Sequence, residues 1–272
     1  MTVKQRAMPS HRIKYYSQNG EDCLLWDFFG CGESGFFLDI GAFDGMYLSN
    51  TFLFENMGWR GICVEANPDY FPLLVKNRPR SLCLHCACVK EMNQRRTEFF
   101  VEEMGLFSSL IHSEEFVDDV RSRYAKRGVS FSGIRAVEVP AATVGELLEL
   151  HHHEETPIDL VSLDVEGTEL SVLEGFDFDR YSFRVIVVEA NTDAVRAEIR
   201  DFLAHEKGFL YAGSLVENLF FVKERGDLER IRGIEIECRI ERQSHPLGDE
   251  YSTAANLEGK VIDARNRNRL AW

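Results

Sequence analysis

Apolar positions along the chain cluster into short runs, separated by stretches in which apolar and polar residues recur at helical spacing. Five of the runs read as strands: Phe36 to Ile40, Gly61 to Glu65, Leu82 to Val89, Leu160 to Asp164 and Val185 to Glu189. Each is nearly unbroken in apolar residues, as a strand covered on both faces requires. Between them, Asn67 as N-cap and Pro68 at the first helical position predict a helix carrying Phe71, Leu74 and Val75. Val144 to Leu150 is amphipathic, and His151, His152 and His153 follow at its solvated end, where the helix dipole favours cations. Alternation of strand and helix predicts an α/β sheet with parallel core strands. Phe209 to Ala212 and Asn218 to Lys223, joined at Gly213-Ser214, read as an antiparallel hairpin that closes it.

Two segments leave this rhythm. Glu102 to Val139 is polar, rich in Gly, Ser and Arg, and too long for an ordinary connection, so it is expected to be a lid or a mobile insertion that selects substrate. Glu224 to Trp272 is charged and weakly patterned; only Glu235 to Ile240 alternates like an edge strand. The expected organisation is an N-terminal helical segment (1–34), a main domain (35–223) with a lid at 102–139, and an extension (224–272) to which no chemistry attaches.

The strand ends carry the candidate chemistry. The first run ends on Asp39 and is followed by Gly41 and Gly45, a turn at which backbone can approach a ligand closely. The second ends on Glu65, placed to accept both hydrogen bonds of a ribose diol. A dinucleotide loop would need a third glycine, and Asp39 and Asp44 put negative charge where a pyrophosphate would lie. A cationic nucleoside such as S-adenosylmethionine suits this turn better; the plain alternative is a glycine turn with no ligand. Two later strands end on Asp164 and Glu166 and on Glu189 and Asn191, all at the sheet's carboxyl edge. Such groups can ligate a divalent cation such as Mg²⁺ or take a proton from a hydroxyl. The plain alternatives are that Glu166 caps a helix starting near Thr168 and that Glu189 pairs with a buried arginine.

Composition narrows the partners. The 272 residues, 44% of them hydrophobic, suffice for one sizeable core with appendages. Lys and Arg total 31 against 45 Asp and Glu, a net −14 that opposes a nucleic-acid backbone. No apolar run approaches the roughly 20 residues of a membrane span, and Met1 to Tyr16 has no apolar core of a signal peptide, so a cytoplasmic protein is expected. Seven cysteines, several inside strands, favour reduced buried thiols. Cys83-Leu84-His85-Cys86 has metal-like spacing but lacks a second pair, and it and the histidine run read as structural.

An ordered series of motifs resembles the FkbM-type S-adenosylmethionine-dependent methyltransferase family. It comprises Ser17-Gln18-Asn19-Gly20-Glu21-Asp22, Asp39 to Gly45, Ser49-Asn50-Thr51, Gly58-Trp59-Arg60-Gly61, Glu65-Ala66-Asn67-Pro68, Ser108-Ser109-Leu110, and Ser162 to Gly167 with Glu169. The resemblance covers about residues 15 to 223. It implies a seven-stranded, Rossmann-like class I methyltransferase sheet. It places Glu21, Asp39, Gly41, Ala42, Asp44, Gly45, Ser49, Asn50, Thr51, Glu65, Ala66, Asn67 and Asp164 around the cofactor, Glu65 on the ribose and the Glu21 and Ser49 to Thr51 regions beside the methionine moiety. It also implies O-methylation of a hydroxyl on a sugar, glycan or other small metabolite. Asp164, then Glu166 or Glu189, is expected to serve as base, or with Asn191 as metal ligand; His85 and His112 are weaker candidates. Phe43 is bulkier than the polar residue expected there. A non-catalytic cofactor-binding protein on the same fold, and an NAD(P)- or nucleotide-sugar-dependent oxidoreductase, are the other readings. Acceptor, metal dependence and oligomeric state do not follow from the motifs.

Overall fold

A computed structural model describes residues 13–32, 34–91, 95–152 and 156–263. Residues 1–12 of the expected N-terminal segment, His153, and residues 264–272 of the extension lie outside the described residues. Strands β1 (Phe36–Ile40), β2 (Arg60–Glu65), β3 (Leu82–His85), β4 (Ala87–Cys88), β5 (Arg96–Glu102), β6 (Ile134–Ala142), β7 (Ile158–Leu163), β8 (Phe183–Glu189), β9 (Leu210–Leu215), β10 (Asn218–Val222), β11 (Glu237–Ile240) and β12 (Lys260–Asp263) form three sheets. The largest has seven strands in the order β3-β2-β1-β7-β8-β10-β9. Its ladders are parallel except that β10 runs antiparallel to both β8 and β9.

Helices α1 (Glu21–Phe28), α2 (Phe52–Asn56), α3 (Phe71–Asn77), α4 (Glu114–Arg127), α5 (Val144–His151), α6 (Glu169–Glu174), α7 (Asp193–Arg200), α8 (Arg225–Arg232) and α9 (Ala254–Glu258) complete the fold. The strands lack polar alternation because both faces of the sheet are covered. Phe37, Cys63, Leu160 and Val185 point into one cluster with α1, α2 and α8. Their neighbours Leu38, Ile62, Val161 and Ile186 point into the other, against α5 and α6. No described helix is long and apolar enough to cross a membrane.

Three expectations are corrected, and the segment 102–139, expected as a lid or insertion, has structure of its own. The run from Leu82 to Val89 is two strands: β3 stops where its partner ends, at the pair Glu65 with His85, and β4 then joins β6 in a three-stranded sheet. Asn67 accepts from the Asp69 N–H at 3.0 Å in a local turn, and the helix begins only at Phe71, with Pro72 in its first turn. Gly213 and Ser214 lie inside β9, and the hairpin turns at Val216-Glu217, with Val216 at φ 54°. The segment 102–139 contains most of a helix-bearing hairpin: β5 pairs antiparallel with β6, with Glu102 opposite Ile134. Between them, α4 is capped by Ser113, whose side chain accepts from the Phe116 N–H, and is ended by left-handed Gly128.

The extension packs against the body. β11 and β12 pair antiparallel, so the edge strand read from Glu235 to Ile240 is present over its second half. Gln243 then binds the Leu48 N–H at 2.9 Å and the Tyr16 carbonyl at 2.5 Å. Buried His245 contacts the Met104 carbonyl through Nε2 at 2.8 Å. The extension thereby braces the loop after β1.

Candidate functional site

The carboxyl ends of β1, β2, β7 and β8 surround one cavity, roofed by residues of α4 and the loop after β5. At the centre, the Gly41 and Ala42 N–H groups both donate to the Val64 carbonyl at 3.0 Å, pulling the loop tightly over β2. Gly41 has φ 82°, and a Cβ there would lie 1.6 Å from the Asp164 carbonyl oxygen. Only glycine lets the two loops meet so closely.

Glu65 is buried on the cavity wall. One of its oxygens accepts from the Phe43 N–H at 2.7 Å and the other from the Asn67 N–H at 2.6 Å. Each carboxylate oxygen keeps a second lone pair for a ligand hydroxyl. Burial pushes Glu65 up to about 7 against those hydrogen bonds. Ala87, Phe99, Ala66 and Leu110 form an apolar wall alongside it, so the pairing of apolar surface with a carboxylate fits a nucleoside.

Among the residues expected around the cofactor, Asp39, Gly41, Ala42, Ser49, Asn50, Glu65, Ala66 and Asp164 line this cavity. Glu21, Asp44, Gly45, Thr51 and Asn67 do not; they stand behind it. Glu21 accepts from the Asn19 N–H at 2.7 Å and the Asn218 side chain at 2.9 Å, fixing the neighbours of Gln18 and Glu217. Asp44 accepts from the N–H groups of Met46 and Tyr47. At Gly45 a Cβ would fall 2.7 Å from Arg78 Cγ. Thr51 bonds Asp39 and Arg78 through its hydroxyl, and Asn67 donates to Ser108 at 3.2 Å.

The charge argument for the first loop is also corrected. Asp39 is paired with the buried Arg78 guanidinium at 2.9 Å, and Asp44 is taken up by backbone N–H groups. Neither offers a free negative charge to a ligand. Arg78, which sequence reasoning missed, further donates to the Gly45 carbonyl at 2.6 Å and to Ser49 at 3.1 Å.

Carboxyl groups collect instead at Asp164, Glu166 and Glu189, one oxygen of each lying within 4.8 Å of the others. Asp164 is open to the cavity but otherwise enclosed by protein. Burial, then the charges of Glu189 and Glu166, push its pKa well above the carboxylate range, and Glu189 accepts its hydrogen bond. Burial raises Glu189 as well. Glu166, at φ 55°, is raised by burial and by Glu189 and pulled back by the Arg123 charge. Asn191, the fourth suggested ligand, lines the cavity and donates to Glu189 at 2.9 Å. The plain alternatives for these acids are not what is found. It is Glu169, not Glu166, that holds the turn before α6, accepting from the Gly167 N–H at 2.8 Å, and Glu189 is bound by Asp164 and Asn191.

Ser108 and Ser109 tie the loop after β5 to the site: Ser108 accepts from the Asn67 side chain and Ser109 donates to the Glu166 carbonyl at 2.8 Å. The positive charges on the roof, Arg123 and Arg127 of α4, had no signal beyond lying in the predicted lid. Phe43 joins Tyr70 and His245 in an aromatic cluster, which accounts for its size. His85 binds the Ala66 carbonyl and stacks on Phe71, and His112 stacks on Phe100.

The buried acids set a stability prediction. Asp22 and Glu65 titrate near 7 when folded, against ordinary values of 3.8 and 4.5, because burial favours the protonated form. Their stabilising contribution is complete below about pH 4 and is lost as the pH rises through 7. His245 is lowered from 6.5 to about 4 by burial, so its contribution is present above 6.5 and is lost on acidification toward 4. Between pH 8 and 7 the two acids change more than His245 does, and the melting temperature of the cofactor-free protein rises on acidification. Scanning calorimetry across that interval checks it; a falling Tm contradicts it.

A seven-stranded sheet in this order, with one antiparallel strand and a cavity at the carboxyl edge, is the class I methyltransferase fold. The chain belongs to the FkbM methyltransferase family, whose domain matches residues 39–211, and S-adenosylmethionine-dependent methyl transfer is its chemistry. Similar solved structures include the precorrin-6y C5,15-methyltransferase of Geobacter metallireducens, 14% identical over 79% of this chain and 91% of that one, with TM-score 0.38. The O-methyltransferase of Bacillus cereus in complex with SAH is 13% identical over 79% and 84%, with TM-score 0.39. A TehB-like SAM-dependent methyltransferase of Corynebacterium glutamicum is 11% identical over 76% and 89%, with TM-score 0.37. Likeness of this degree carries no argument about the acceptor. Comparison with curated proteins finds no match.

Proposed function

We propose that the protein transfers a methyl group from S-adenosylmethionine to a hydroxyl of a small metabolite, sugar or glycan. The observation that carries this reading is the convergence of Asp164, Glu166 and Glu189 on the cavity at the carboxyl edge, one oxygen of each within 4.8 Å of the others. An alcohol must lose its proton as it attacks, and a pair of carboxyls of raised pKa facing the cavity is suited to receive it. When bound, S-adenosylmethionine supplies an electrophilic sulfonium methyl. The chain's own work is placement: Glu65 accepts the ribose hydroxyls, the Gly41 to Ala42 backbone and Asn50 border the methionine moiety, and Asp164 holds the acceptor oxygen in line while the roof excludes water.

The catalytic domain is taken as residues 35–223, with α4 in the 102–139 lid and the described residues 13–32 and 224–263 as buttresses. A cytoplasmic location and a hydroxylated acceptor belong to the same reading. A divalent cation is a second reading for the acid cluster, favoured by the 4.8 Å spread of its oxygens; Arg123 already supplies positive charge to the same carboxylates.

The test is calorimetric titration with S-adenosylmethionine, S-adenosylhomocysteine and NAD, followed by an acceptor screen with EDTA or Mg²⁺. The first two bind at micromolar concentration, and Glu65→Ala weakens them roughly 10- to 100-fold through loss of charged hydrogen bonds. Binding of NAD alone overturns the reading in favour of an oxidoreductase. Tight cofactor binding without transfer to any hydroxyl favours a non-catalytic protein.

A further inference from the structure

The roof of the cavity carries a cation that nothing among the described residues neutralises. Arg127, in the last turn of α4, lines the cavity, and its Nε is buried without a hydrogen-bond partner. Its one donated bond goes to the Arg123 carbonyl at 3.2 Å, and its guanidinium lies 5.3 Å from the centre of the buried Phe107 ring. No carboxylate among the described residues forms an ion pair with it, in a chain with 45 acidic residues against 31 basic ones. Arg123, one turn earlier, differs: it is paired with Asp119 at 2.7 Å and lies in the field of Glu166 and Glu189.

A guanidinium stacked on an aromatic ring and presented to a cavity is built to bind a planar or tetrahedral anion. We propose that Arg127 recognises an anionic group, carboxylate or phosphate, on the methyl acceptor. The inference rests on the proposed O-methyl transfer only for calling the ligand an acceptor. Arg123 marks the end of the roof facing the acid cluster, and Arg127 stands four residues, about 6 Å, further along the helix. The acid cluster would repel an anion at the other end, so the two charges also fix the acceptor's direction in the cavity.

The test uses the full chain saturated with S-adenosylhomocysteine. Calorimetry measures the affinities of glucuronate, glucose 6-phosphate, inorganic phosphate and glucose for the wild type, Arg127→Met and Arg127→Lys. The wild type binds the anions at least tenfold more tightly than glucose; Arg127→Met abolishes that preference, Arg127→Lys keeps part of it, and all three proteins hold S-adenosylmethionine equally. The ratio of glucuronate to glucose 6-phosphate affinity tells carboxylate from phosphate. Absence of a preference in the wild type, or its survival in Arg127→Met, overturns the proposal. So does a loss of S-adenosylmethionine affinity in Arg127→Met, which would assign the guanidinium to the cofactor's own carboxylate. Because the readout is binding, failure of methyl transfer to a bound acid would count against the proposed reaction and leave the anion site standing.

Discussion

Asp164→Asn lowers turnover by roughly 10²–10⁴-fold, the contribution of a positioned base, while S-adenosylmethionine binds within a few-fold of its wild-type affinity. Asparagine keeps the size of the side chain and can still donate to Glu189, but it cannot receive a proton. The carboxyl pair titrates as a unit, and both members are raised, Asp164 by burial and the Glu189 charge. The ionised form is the active one. Turnover by the wild type therefore falls as the pH drops through the pair's apparent pKa, which lies above the ordinary carboxylate range. The variant also separates chemistry from folding, since removing a carboxyl that resists ionisation does not lower apo stability at pH 8. Single-turnover rates under saturating cofactor, with unfolding midpoints alongside, are the measurement. Unchanged turnover removes Asp164 from the reaction; collapse in Glu189→Gln alone transfers the role to Glu189.

The parts of the site legible in the sequence are those fixed by strand direction. A carboxylate ending an apolar run must lie at the carboxyl edge of a parallel sheet, which is why Asp39, Glu65, Asp164 and Glu189 all fall beside one cavity. Gly41 was legible for a related reason, because a turn packed against a neighbouring loop admits no Cβ. Groups placed by tertiary approach were not. Arg78 looks no different in sequence from Lys76 or Arg80, yet it alone is buried among acids contributed by β1 and α2. Its pairing with Asp39 removes the electrostatic reason first given for a cationic ligand at this turn. The extension was opaque because Gln243 and His245 act through backbone groups far away in sequence, Leu48 and Met104. Such contacts leave no periodicity to read.

Arg78→Met costs about 3–5 kcal/mol of stability, the penalty for stranding buried charges. The side chain is 1% exposed. It holds Asp39 at 2.9 Å and Glu55 at 3.5 Å, and lies 5.4 Å from the rings of both Phe37 and Phe52. Methionine fills much of the same apolar space, so the loss reports charge and hydrogen bonds rather than an emptied cavity. What remains is two carboxyls in a dry interior. Burial already raises Asp39 against the opposing pull of Arg78, and without the guanidinium nothing favours its ionised form except Thr51 and its remaining polar neighbours. Asp39 then folds protonated, so the deficit of the variant is largest at pH 8 and shrinks as the pH falls toward 5. Asp39→Asn in the Arg78→Met background recovers much of the loss, because it removes one of the stranded charges. Urea unfolding of the four proteins of this cycle at the two pH values measures the coupling. A loss below about 1 kcal/mol, or one independent of pH, would show that Arg78 merely fills space. The loop from Gly41 to Thr51 hangs on the same guanidinium through Gly45, Ser49 and Thr51, so cofactor affinity falls together with stability, and Asp39→Asn restores stability more fully than binding.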